Sequence, residues 1–113
     1  MTDRARRKEL VREYRERKQS MGIYAVRCEA ANKIWIAASR NLDKQKNSLW
    51  FMLGNGGHPN RAMQSVWNAC GEAAFRYEVL EEIDDENPLL VDLLLKERSQ
   101  HWRASLHGEA VIG

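Results

Sequence analysis

Met21-Gly22-Ile23-Tyr24-Ala25-Val26-Arg27 and, after a short gap, Lys33-Ile34-Trp35-Ile36-Ala37-Ala38-Ser39-Arg40-Asn41-Leu42 carry the strongest structural signal in this chain. β-Branched and aromatic residues dominate both runs, as pleated strands prefer. The intervening Glu29-Ala30-Ala31-Asn32 suits a hairpin loop, with Asn32 able to take a positive φ. Asn41 then stands where a helix N-cap is expected, its side-chain oxygen free to accept a backbone N–H of the first turn. The reading is a β-hairpin running into a helix.

Outward from that hairpin the elements follow in order. Leu42–Leu53 places Leu42, Leu49, Trp50, Met52 and Leu53 near one helical face. Gly54-Asn55-Gly56-Gly57-His58-Pro59-Asn60 breaks the chain, and Asn60 can cap the next helix. That helix, Arg61–Cys70, has Ala62, Met63, Val66, Trp67 and Cys70 at helical spacing, with Gly71 suited to its C-terminal cap. Phe75–Ile83 alternates Phe75, Tyr77 and Val79 with Arg76 and Glu78, a strand with one wetter face. Asp84–Asn87 reads as a turn, and Pro88 fits the first turn of a final helix over Leu89–Leu106. Upstream, Thr2–Lys18 lacks glycine and proline and reads as a helix with a thin apolar stripe of Leu10, Val11 and Tyr14.

The expected fold is therefore a small α/β (α+β) domain in the order α-β-β-α-α-β-α, with a three-stranded, mostly antiparallel sheet flanked by helices. Residues 1–20 form a basic helix or arm, 21–106 the folded domain, and 107–113 a frayed, flexible tail. At 113 residues the chain can bury one core, and 43% hydrophobic content excludes wholesale disorder. No apolar run approaches the roughly 20 residues of a membrane span. Met1–Lys8 has no signal-peptide character, so a cytoplasmic location and no membrane partner are expected. Cys28 and Cys70 fall in unrelated contexts and read as small buried hydrophobes, with neither a metal site nor a disulfide implied.

The net charge of +2 is small, but its distribution is uneven. Asp3–Lys18 holds Arg4, Arg6, Arg7, Lys8, Arg12, Arg15, Arg17 and Lys18 against four acids, whereas Glu78–Asp92 is acidic with no Lys or Arg. The simplest reading of Glu81–Glu86 is a solvated turn. His58, His101 and His107 lack metal-ligand spacing. His58 serves either as a turn residue bonded to backbone or as a site residue.

Gly22-Ile23-Tyr24, Trp35-Ile36-Ala37, Ser39-Arg40-Asn41-Leu42, Gly57-His58-Pro59-Asn60 with Gln64, Trp67, Asn68 and Gly71, Phe75–Glu81, and Glu97-Arg98-Ser99-Gln100-His101-Trp102 form an ordered series. It resembles the GIY-YIG nuclease superfamily from Gly22 to about Trp102, with Trp35-Ile36-Ala37 where that family has Tyr-Ile-Gly. The basic segment before Met21 resembles the leader of a bacterial subgroup with regulator-like members.

The resemblance implies metal-dependent phosphodiester hydrolysis in one step. A hairpin tyrosine activates water, an arginine on the first helix stabilises the phosphorane, and a glutamate on a later helix holds Mg²⁺ or Mn²⁺. Carried over by position, Tyr24 matches the first tyrosine. Trp35 replaces the second, and an indole has no ionisable hydroxyl. Gln45 falls where the arginine belongs, with Lys44 and Lys46 about 100° away on either side. Ser99 falls where the metal glutamate belongs, and Glu97 is the nearest carboxylate in sequence. Loss of one such electrostatic group commonly lowers rate by ~10²–10³, so three together imply little or no activity of the family's kind.

Three functions follow, the first most expected and the third ahead of the second. The first is a catalytically impaired domain kept for nucleic-acid binding or as an interaction module, with Arg40, Lys44, Lys46, His58, Arg61 and the arm residues Arg4, Arg6 and Arg7 as contacts to DNA. The second is an active endonuclease with a rearranged site, in which Tyr24 is the base, Lys44 or Lys46 replaces the arginine and Glu97 holds Mg²⁺ or Mn²⁺. The third is a module for a protein partner or homodimer. Tyr24 is either a cleft residue or a wall of the core, and Trp35 either core or a base-stacking platform.

Overall fold

The computed structural model describes residues 20–84 and 87–111. The expected helix over Thr2–Lys18 and the arm contacts Arg4, Arg6 and Arg7 lie outside the described residues, as do two positions of the expected 84–87 turn.

Strand β1 (Met21–Cys28) and strand β2 (Lys33–Ser39) pair antiparallel with Gly22 opposite Ser39 and Cys28 opposite Lys33. Asn32 closes the hairpin with φ 53°, in the left-handed region that asparagine tolerates. Helix α1 (Leu42–Gly54) starts at Asn41, whose side chain accepts the Lys44 N–H. Helix α2 (Arg61–Cys70) starts at Asn60 in the same way, with the Met63 N–H as donor. A short 3₁₀ turn over Glu72–Ala74 leads into β3 (Phe75–Ile83), and α3 (Pro88–Leu106) follows.

The sheet has four strands in the order β3-β1-β2-β4, one more than expected. The extra strand, β4 (Glu109–Ala110), pairs parallel with Trp35 and Ile36 on β2. After α3 ends at left-handed His107, the chain returns to the sheet and buries Val111 in the core. The Asn60 amide reaches across and donates to the carbonyls of Ala110 (3.1 Å) and Val111 (2.8 Å). The segment expected to fray is thus tied down as far as Val111.

Central strand β1 is buried on both faces, which explains its nearly continuous apolar run. On one face Tyr24, Val26, Cys28 and Trp35 pack with Phe75 against α1 and α2. On the other, Ile23, Ala25, Ile36 and Ile83 pack against Val91 and Leu95 of α3. The sheet is a wall between two helical layers.

Three local expectations are corrected. Helix α2 buries Met63, Gln64 and Trp67 and leaves Cys70 exposed; only Cys28 is a buried thiol. The stripe rotates because the Gln64 amide bonds inward, donating to the Leu53 carbonyl and Asn68 while accepting the His58 N–H. The acidic stretch is not a solvated turn at its start, since Glu81 belongs to β3 and joins it to α3 through Arg98 and Trp102. None of the described helices is long and apolar enough to cross a membrane.

Candidate functional site

Tyr24 sits at mid-sheet, opposite Ala37 on β2 and Val79 on β3. Its ring is buried and stacks on Tyr77 of β3 at 5.4 Å between centroids. Both phenols point to the α1–α2 side because Tyr77 lies two residues from Phe75 and Val79 on an alternating strand. The Tyr77 hydroxyl donates to the Leu42 carbonyl at 3.0 Å, at the first residue of α1. The Tyr24 hydroxyl makes no hydrogen bond to a described residue. Burial pushes the Tyr24 phenol far above its ordinary range, and neighbouring Tyr77 adds to the effect. Burial together with the Asp43 carboxylate pushes Tyr77 up to about 12. A phenol so raised stays protonated at neutral pH.

The junction of β2 and α1 supplies the neighbouring polar groups. The Ser39 hydroxyl accepts the Asn41 N–H (3.0 Å) and donates to the Gln45 side-chain oxygen (2.8 Å). Gln45, which stands where the family resemblance puts an arginine, is therefore neutral and held to the strand by its carbonyl end.

Trp35 is 1% exposed and stacks nearly parallel on Phe75 at 5.9 Å. It is core, with no face open to a base. Ser99 lies on α3 in the buried stripe with Val91 and Leu95, and its hydroxyl donates to the Lys96 carbonyl within the helix. That helix packs on the sheet face opposite the one Tyr24 faces. Glu97 is exposed, roughly 200° around the helix from Ser99. No group of three or more His, Cys, Asp or Glu side chains among the described residues gathers in a way that could hold a metal ion. The expected positions do not supply ligands for a divalent cation beside Tyr24: Ser99 offers no anionic oxygen, Glu97 is exposed on the far layer, and Asp43 is a lone carboxylate near the phenols.

The cations divide into committed and uncommitted ones. Arg40 pairs with Asp92 at the start of α3, Arg27 with Glu78 and Arg98 with Glu81. For Glu81, burial alone would raise the carboxyl, but hydrogen bonds from Trp102 and Arg98 and the charges of Arg98 and His101 hold it below the usual range. Lys44, Lys46 and Arg61 are exposed and make no ion pair with a described residue. Lys46 lies over the Trp50 ring at 5.7 Å. These three share the α1–α2 layer with a single carboxylate on those helices, Asp43.

His58 is buried and structural in its contacts. Its Nδ1 accepts the Asn60 N–H at 3.0 Å, and burial lowers its pKa. An open hollow at the hairpin end, between Arg27, Asn32, Lys33 and Leu106, holds none of the candidate positions.

Tyr77 and Asp43 escaped the sequence reading. The signal for Tyr77 was its place in the Phe75–Tyr77–Val79 alternation, but its pairing with Tyr24 depends on a register shift between Ile23 and Tyr24.

No family model and no curated protein matches the chain. Among solved structures it is similar to the catalytic domain of the intron endonuclease I-TevI in a mutant form. The TM-score is 0.69 at 24% identity, covering 84% of this chain and 100% of that one. It is likewise similar to the catalytic domain of homing endonuclease I-TevI, with TM-score 0.67 and 25% identity, over 82% of this chain and 99% of the other.

Proposed function

Given the GIY-YIG nuclease-type fold that this chain carries, we propose that it binds nucleic acid through the α1–α2 layer without cutting it. One observation carries the reading: Gln45, at the position where the family resemblance puts an arginine, is neutral and accepts a hydrogen bond from Ser39, while the Tyr24–Tyr77 pair stacks on the same α1–α2 side of the sheet. A developing phosphorane would find no guanidinium there and no anchored cation. Lys44, Lys46 and Arg61 meanwhile are exposed cations of the α1–α2 layer, each able to meet a phosphate.

The test is a pair of assays on one preparation. Gel shifts at low salt with duplex, branched and single-stranded DNA are expected to show binding that weakens as salt rises. Incubation with Mg²⁺ or Mn²⁺ is expected to leave supercoiled plasmid intact. Absence of affinity for all three DNAs would remove the binding half of the proposal.

A second reading is an endonuclease with a rearranged site; the Asp43 carboxylate, by pushing the Tyr77 phenol up, works against that phenol as a base. Metal-dependent nicking that disappears in both Tyr24→Phe and Glu97→Ala would establish it. The protein-partner reading gains nothing from Trp35, which is buried, but Leu89, Leu90 and Leu93 are exposed on α3. A dimer in sedimentation that Leu93→Ala dissociates would favour that role.

A further inference from the structure

Among the described Phe, Tyr and Trp residues Phe51 alone is exposed, with 73% of its surface open, while the others are buried or half-buried. It lies on α1, seven residues after Lys44. At 1.5 Å rise and 100° per residue the two are roughly 10 Å apart along the axis and about 20° apart around it. Asn47 and Ser48 fall between them on the same exposed stripe, with the Asp43 carboxylate at its edge, about 40° around the axis from Asn47. The stripe thus offers a cation, two neutral hydrogen-bonding side chains and an open π-face, in that order.

We propose that this stripe of α1 is a binding track for single-stranded nucleic acid, in which Phe51 stacks on an unpaired base and Lys44 meets the adjoining backbone. The chemistry fits one occupant. A duplex keeps its base faces stacked and offers Phe51 only backbone, whereas an unpaired strand presents a π-face and a phosphate within one nucleotide's reach. Charge complementarity comes from Lys44, with Lys46 and Arg61 on the same layer. Asn47 and Ser48 can bond sugar or base edges without imposing a sequence. The inference rests on the proposal that the α1–α2 layer binds nucleic acid, and it adds the strand state of the ligand.

Fluorescence anisotropy of the full chain with labelled oligothymidylate, oligouridylate and a duplex of equal length tests it. Phe51→Ala is expected to weaken single-strand binding about tenfold and to leave duplex binding within about twofold. Phe51→Trp should restore the single-strand affinity, and Phe51→Leu should not, which separates ring stacking from plain apolar contact. An oligonucleotide carrying 2-aminopurine should lose fluorescence on binding the parent chain and retain it with Phe51→Leu. The two single strands distinguish DNA from RNA as the source of the unpaired base.

The inference is overturned if Phe51→Leu binds single strands like the parent chain. It is also overturned if the parent binds duplex only, or if Phe51→Ala changes the oligomeric state and not the affinity. In those cases a loss of binding in Lys44→Ala with Lys46→Ala leaves the nucleic-acid reading standing. If the parent chain binds none of the three probes, that reading fails, and the stacking inference falls with it.

Discussion

At Gly22 the third strand comes so close that a Cβ would overlap the Glu81 carbonyl oxygen and sit 2.9 Å from the Glu82 Cα. The register shift between Ile23 and Tyr24 brings β3 against the glycine here, and β1·β3 pairing depends on it. Gly22→Ala is therefore expected to lower stability by about 1–3 kcal/mol through forced strand separation, read as a drop in thermal midpoint. The two phenols give a paired test. Tyr77→Phe should cost about 1 kcal/mol by removing the bond to Leu42, while Tyr24→Phe should leave stability nearly unchanged. Both rings hold their protons more tightly folded than unfolded. The unfolded chain therefore releases protons first once pH passes about 10. The stabilisation is complete below that pH and drains away as pH rises toward 12. Denaturant midpoints across that range should fall, and tyrosinate absorbance from these two residues should rise only with unfolding.

Among the elements, those governed by local rules were legible and those made by tertiary contact were not. Asn41 and Asn60 as caps, Asn32 at the hairpin, Pro88 in a first turn and the bounds of α2 and β3 follow from residue type and spacing. Strand β4 has two residues and no pattern of its own; it exists because Asn60 and the buried Val111 hold it beside β2. Gln64 was invisible as a core residue for a related reason, since its burial is repaid by three hydrogen bonds that only the folded loop provides. Of the candidate positions, the place of Tyr24 on β1 and of Gln45 on α1 could be read from position alone. The Tyr24–Tyr77 stack, the Ser39–Gln45 bond and the Arg40–Asp92 pair required knowing which strand and helix ends meet. Asn60→Ala tests the element-scale account: losing a cap and two ties to the β4 segment should cost about 2 kcal/mol or more. Hydrogen exchange should speed up in β4 well before it does in β1.

Across the whole molecule, the sheet separates two surfaces of different character. On the α3 side Glu81 pairs with Arg98 and Asp92 with Arg40, and Lys96 and Glu97 bring both signs of charge, whereas the α1–α2 side leaves Lys44, Lys46 and Arg61 unpaired with described residues against one carboxylate, Asp43. A surface of this kind makes binding a counterion-release process, with log K falling against log salt by about 0.9 per phosphate neutralised. Replacing Lys44 by alanine should reduce that slope by about one, equally for every sequence, if Lys44 meets a phosphate. The decisive measurement is a single titration of the full chain with DNA in the presence of Mg²⁺, followed by electrophoresis of the same samples under denaturing conditions. Saturable, salt-sensitive binding with every strand recovered whole is the predicted result. Strands cut in proportion to the bound fraction, with cutting abolished by Tyr24→Phe, would contradict it.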